Sequence, residues 1–311
     1  MYFPILRGRQ FELLALRECV KENVLSSQII PIVEPVKVSS TYIKTIDSFI
    51  EAEKPIAVIR NPQVGSWSKD LKKESNINIS AQFQKQCKAP CVISSFYVTP
   101  ELEKDIRSAI EKGNSIESML LLCNNPEYVD EYENVIGEKT PLYTLIPDRG
   151  DFRRRIRSNR VMCEDHFPKQ TRNIDYLDTE TEFFSSDHLY YADDGYKGFS
   201  DYSVVGEEFS ETGFVPYAVA IHIVYFDKKN ILRIAHFVSD SNDDISDPAR
   251  KFAEAVKKLV EWNQNMGLNT VGIQAFEKAY YYQTYPGLGV VKKYSIMHHL
   301  ELMSKYLDGD R

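Results

Sequence analysis

Eight short apolar runs recur along the first two thirds of the chain, at 2–6, 29–33, 55–59, 90–94, 118–123, 141–146, 160–163 and 202–205. Runs this short, with apolar residues on both parities, read as strands buried on two faces rather than one. Between most of them lies a helical pattern. The segment 9–22 carries Phe11, Leu14 and Leu16; Ile43, Ile46, Phe49 and Ile50 share one helix face; 99–112 opens on Thr-Pro-Glu. A polar, partly helical stretch runs to about 86, a short acidic helix is expected over 126–135, a basic one after Gly150, and a helix over 174–191.

Strand–helix alternation at this spacing predicts βαβ units and a parallel sheet. Eight units is the number that closes such a sheet and removes its edges. The expectation is therefore an α/β chain, a (β/α)8 TIM-barrel-like single domain. An open doubly wound sheet is the competing architecture. It typically carries a glycine-rich phosphate turn early, and Gly8 alone does not make one.

The last third is less regular. Runs at 214–225 and 231–239, split by Asp227-Lys228-Lys229-Asn230, predict a β-hairpin inserted before the last helix of the barrel. Phe252, Ala255, Val256, Leu259 and Val260 mark an amphipathic helix. The tail holds the Tyr280-Tyr281-Tyr282 cluster and a helix near 295–306. The reading is a barrel domain over 1–270, with its hairpin at about 214–239, and a C-terminal helical extension over 271–311.

A net charge of −7 removes any global electrostatic case for nucleic acid. Five cysteines without regular spacing argue for reduced thiols rather than a disulfide framework. The start lacks the apolar core of a signal peptide, and no apolar run approaches the ~20 residues that span a bilayer. A cytoplasmic location without membrane contact is expected.

Barrels of this kind carry their functional groups at the C-terminal ends of the strands. Those ends supply Arg7, Glu34 with Lys37, Arg60 with Asn61, Asn124, Asp148 with Arg149, Glu164-Asp165-His166, and Glu207 with Glu208. On one rim, Glu34, Glu164, Asp165 and His166 could act as acids, bases or holders of a divalent cation. Arg7, Lys37, Arg60, Asn61 and Arg149 could bind a phosphate or carboxylate. Polar strand ends also occur simply because they reach water. The basic run from Arg149 through Arg153, Arg154, Arg155 and Arg157 to Arg160 could take a nucleic-acid backbone or pair with acidic side chains. His188, His222 and His236 stand alone, and a packed histidine is the default for each. His298 and His299 are adjacent, about 100° apart on a helix, so one of them at most faces a given site. No P-loop, G-x-S-x-G, H-E-x-x-H or G-x-G-x-x-G motif is present.

The opening Tyr2-Phe3-Pro4-Ile5-Leu6-Arg7-Gly8-Arg9-Gln10-Phe11-Glu12 with Ala15-Leu16 resembles the beta-protein family of phages and satellite phages. So do Ile30-Pro31-Ile32-Val33-Glu34-Pro35, Asp201-Tyr202-Ser203 with Gly206-Glu207, and His298-His299-Leu300. The resemblance implies a barrel-like protein from a small phage-defence or toxin–antitoxin-like cassette, beside a gene for a nuclease-like partner. It implies no established reaction. It marks Arg7, Gln10, Glu12, Glu34, Asp201 and His299 as candidate positions. Two functions stay open: a binding protein that controls or assists the nuclease-like partner, and a phosphodiesterase or nuclease-like barrel that uses a divalent metal (Mg or Mn) at its mouth.

Overall fold

The computed structural model describes residues 1–210 and 216–310. Backbone contacts group them into two compact units: 1–13, 27–165 and 187–202 form the first, and 14–26, 166–186 and 203–311 the second. The chain thus divides at several points and not once at 270.

The first unit is an eight-stranded parallel sheet surrounded by helices. Its strands are β1 (Ile5–Leu6), β2 (Ile32–Val33), β3 (Ile56–Ile59), β4 (Val92–Tyr97), β5 (Leu120–Leu122), β6 (Tyr143–Ile146), β7 (Arg160–Cys163) and β9 (Gly198–Ser200), paired in that order. Tyr2 bridges both Ile29 and Phe199, and Ile5 N donates to Asp201 O at 2.8 Å. The two ends of the sheet therefore meet in a nearly closed barrel, as the eightfold rhythm predicts. Helices α2 (Ser40–Glu51), α3 (Trp67–Asp70), α4 (Ile77–Gln86), α5 (Leu102–Glu111), α6 (Val129–Ile136), α7 (Gly150–Arg153) and α8 (Asp187–Tyr190) belong to this unit. In α2 the Ser39 side chain accepts from Tyr42 N, capping the first turn, while Tyr42, Ile43, Ile46 and Phe49 bury one face.

The eighth barrel strand is Gly198–Ser200, not 202–205. Its inward positions must be small. A Cβ on Gly198 would lie 2.6 Å from Met1 O and 2.7 Å from the Phe3 ring. A Gly-Phe-Ser run therefore carries no apolar signature, although it completes the barrel.

Helix α1 (Gln10–Lys21) follows β1, and its residues from Leu14 onward fall in the second unit. That unit holds a three-stranded antiparallel sheet in the order β10 (Ala220–Phe226), β11 (Leu232–Val238), β8 (Thr181–Ser185). The expected hairpin is present; its expected first residues, 214 and 215, lie outside the described ones. The expected helix over 174–191 is instead a 3-10 turn (Asn173–Asp178), then β8, then α8. Thr181, Phe183 and Phe184 favour a strand, and β11 offers an edge to pair with. Helices α9 (Pro248–Met266), α10 (Val271–Tyr281) and α11 (Leu288–Asp308) complete the unit. Ile221, Ile223, Phe237, Phe252, Leu259 and Phe276 belong to one buried cluster that joins hairpin to helices. In α10 Gly272 lies directly against the α11 backbone at Tyr294 O and His298 N, where no Cβ fits.

Candidate functional site

Strand periodicity decides which rim residues can meet. Phe3 and Ile5, Ile30 and Ile32, Ala57 and Ile59, Leu120 and Leu122, with Leu145 and Val161, form a single buried cluster. These are alternate residues, so they fill the barrel interior. Arg7, Glu34 and Tyr97 continue that phase. Arg60, Asp148, Glu164 and Asp201 fall in the opposite phase and point out toward the surrounding helices and loops.

The contacts agree with that parity. Arg7 Nη1 donates to Glu34 Oε2 and, at 3.2 Å, to the Tyr97 hydroxyl. Tyr97 donates in turn to Glu34 Oε2 at 2.9 Å, and Gln63 N donates to Glu34 Oε1 at 2.7 Å. The Arg7 guanidinium also lies 5.2 Å over the Tyr202 ring. Glu34 is 0% exposed. Burial works against a charged Arg7, but the oxygens of Tyr97 and Glu34 outweigh it and hold its proton above the ordinary range. Burial and the neighbouring Glu34 push the Tyr97 phenol well up, so it remains a donor. The turn beneath this group is tight. Gly8 has φ +60, and a Cβ there would lie 2.7 Å from Glu34 O. The Arg7 backbone N–H donates to Glu12 Oε2 at 2.7 Å, which fixes the start of α1. Glu12 thus has a structural partner, as does Glu34.

Several of the other expected positions have partners elsewhere. Asn61 turns over the end of β4: its Nδ2 donates to Tyr97 O at 3.0 Å and to Asp105 at 2.9 Å, and its Oδ1 accepts from Tyr97 N. Arg60 lies on the outer face against Gln84 and Phe83. Glu164 accepts from Asp148 N at 2.9 Å, while Asp148 accepts from the Tyr196 hydroxyl at 2.7 Å. Asp201 accepts from Tyr2 Oη at 2.7 Å, also on the outer phase. Lys37, Asn124, Asp165, Glu207, Glu208 and Gln10 are exposed. His166 lies in the second unit, its ring 5.9 Å from Phe184. Arg7 and Glu34 thus meet in the barrel interior, while Arg60 and Glu164 fall in the outward phase.

Three of the six arginines in the basic run are paired with acids within the fold. Arg149 pairs with Asp151, Arg153 with Asp148, and Arg155 with both Asp130 and Glu133. Among the described residues, no three His, Cys, Asp or Glu side chains gather as a metal site. The five cysteines are free, in keeping with reduced thiols.

The second unit holds an arrangement that the isolated histidines do not announce. His222 and His236 are direct partners in the β10–β11 register, with their Nδ1 atoms 2.8 Å apart. His236 Nε2 lies 2.9 Å from Glu182 Oε1. Burial holds His222 down to about 3, helped by His236 and Lys292, and it also lowers His236 against the pull of Glu182. With both rings neutral, the proton positions follow. The carboxylate only accepts, so His236 Nε2–H donates to it and His236 Nδ1 is a lone pair. His222 Nδ1–H then donates to His236, and His222 Nε2 keeps its lone pair. His222 lines a cavity of about 280 Å³ with Phe167, Tyr176, Lys169 and Lys292. Hairpin symmetry about residues 227–230 is the signal that pairs 222 with 236.

Two motif segments also meet in this unit. Ser203, at φ +51, hydrogen-bonds His299 Nδ1 at 2.9 Å, and both side chains are buried. His298 is structural. Its Nε2–H donates to Val224 O at 2.6 Å and its Nδ1 sits 2.8 Å from Thr270 Oγ1.

No family model, no curated protein and no solved structure matches this chain. No described helix is long and apolar enough to cross a membrane.

Proposed function

We propose that the chain is a binding component of a two-gene phage-defence or toxin–antitoxin-like module, holding a nuclease-like protein partner and controlling or assisting it. The observation that carries this reading is an aromatic-rimmed groove in the second unit. It encloses about 610 Å³ between α9 and the end of α10, with Phe252, Val256, Ala279 and Tyr285 in its lining. Tyr281 lines it at 70% exposure, and the next residue, Tyr282, is 71% exposed. Tyrosines held open to solvent over an apolar groove are what a protein interface uses as anchors. The mouth supports the same reading: both Glu34 oxygens are already engaged, by Arg7, Tyr97 and Gln63, so Glu34 is not an open acid or base. The sequence resemblance supplies the partner's class.

The test is co-expression with the product of the neighbouring gene, followed by co-elution and titration. Tyr281→Ala with Tyr282→Ala should weaken binding roughly tenfold or more, without changing stability, because both rings are exposed. Glu34→Gln should leave binding intact in whatever fraction folds. A neighbouring product that never co-elutes, or one held equally well by the double variant, rejects the groove.

One observation favours hydrolysis as a second reading: the Glu182–His236–His222 chain, which ends on a neutral imidazole in the lining of a cavity. It would place phosphodiesterase chemistry in the second unit, not on the barrel rim. Glu182→Gln should then abolish turnover of a phosphodiester probe while partner binding persists.

A further inference from the structure

The outer face of the barrel carries a cleft between α4 and α5 that neither reading uses. Arg60 reaches into it because Ile59 faces inward and the next residue must face out. Its guanidinium is held in place by neutral groups. Nη1 donates to Ser94 Oγ at 3.3 Å, Nη2 donates to Gln84 Oε1 at 3.1 Å, and the Phe83 ring lies 5.2 Å away. Lys72, Lys104 and Lys112 line the same cleft, which encloses about 390 Å³.

Position distinguishes these four cations: they line one concave surface. Lys73 and Arg107, close by in sequence, are paired with Asp70 and Glu103. Among the described residues, Arg60, Lys72, Lys104 and Lys112 have no carboxylate within ion-pair distance. The lining holds a single acid, Asp105, and Asn61 Nδ2 donates to it at 2.9 Å. Four cations thus stand around one acid in this lining. In a concave, partly apolar wall their fields add and draw in an anion. A guanidinium already oriented by two hydrogen bonds matches the oxygens of a phosphate. The volume suits a small molecule. The cations surround a pocket and do not run as a stripe, which favours a compact ligand over a nucleic-acid backbone.

We propose that this cleft binds a phosphorylated small molecule, with Arg60 taking the phosphate and Lys72, Lys104 and Lys112 completing its charge. The site is independent of the tyrosine groove and of the histidine chain.

The test is calorimetric titration of the full chain with inorganic pyrophosphate at two salt concentrations. A single saturable site is expected, weakening as salt rises. Arg60→Gln should lower its affinity roughly tenfold, since a charge-assisted fork is lost. Arg60 packs on Phe83, so Lys104→Glu gives a second arm at an exposed position, where a loss of similar size is expected. A single-stranded oligonucleotide should bind more weakly than pyrophosphate, and Lys104→Glu should reduce both together. No saturable pyrophosphate binding at millimolar concentration overturns the proposal. So does binding that both variants leave unchanged, or an oligonucleotide that binds more tightly than pyrophosphate.

Discussion

Replacing Arg7 with alanine should destabilise the protein by about 3–5 kcal/mol, the usual cost of leaving a buried charge without its partner. Glu34 is fully buried, and Arg7 is its counter-ion. Once the guanidinium is gone, the carboxylate keeps only the Tyr97 hydroxyl and the Gln63 N–H. Two neutral donors cannot replace a cation at that depth, so the chain must protonate Glu34, admit water or open. Arg7→Met with Glu34→Leu should restore most of the loss, because a buried pair exchanged for apolar side chains of similar volume is often neutral or better. Tyr97→Phe should cost less, about 1.5–3 kcal/mol, because it removes the bond donated to Glu34 and the one accepted from Arg7 but leaves the ion pair. Urea denaturation of the four proteins reads all of this. If the double variant is as unstable as Arg7→Ala alone, the charge is not what holds the mouth together.

The same residues show what can be read without coordinates. Seven of the barrel strands announce themselves because their residues are apolar on both faces. The eighth does not, because the space inside Gly198–Ser200 is already filled by Phe3 and Met1. Strand ends are legible, and so is their polar character. What remains hidden is direction. Arg60 and Glu34 both follow apolar strands, yet Ile32 and Ile59 face inward, which sends Glu34 into the barrel and Arg60 out of it. A one-residue change of phase separates a buried ion pair from a lining residue of an outer cleft. The histidine pair is legible in principle, since the 227–230 turn sets the hairpin register. Glu182 is not. A helix is the natural expectation over 174–191, and only the edge of β11 converts part of it to a strand. The Ser203–His299 bond joins positions 96 apart, a separation no local pattern encodes.

Lowering the pH from neutral to about 4 should remove roughly 3 kcal/mol of stability through His298 alone. This ring is fully buried and both its nitrogens are engaged, Nε2–H by Val224 O and Nδ1 by Thr270. Burial is the main cause that brings it down from 6.5 to about 4. Above 6.5 the imidazole is neutral whether the chain is folded or not, and its contribution does not vary with pH. Between 6.5 and about 4 the unfolded chain takes up a proton that the folded chain refuses. Stability therefore falls as acid is added, by about 1.4 kcal/mol per pH unit. Below about 4 both states are protonated and this slope ends. His222, held down to about 3 chiefly by burial, adds to the loss in the same direction. Carboxylates contribute to any acid transition, so the decisive quantity is a difference between proteins. His298→Gln keeps a donor for Val224 O but carries no titrating group. It should cost some stability at pH 7 and then lose less than the parent on acidification, so that the two curves converge toward pH 4. Parallel curves for the parent and the variant, followed by denaturant midpoint from pH 7 to pH 4.5, would show that the proton enters elsewhere and that the α11 core does not resist it.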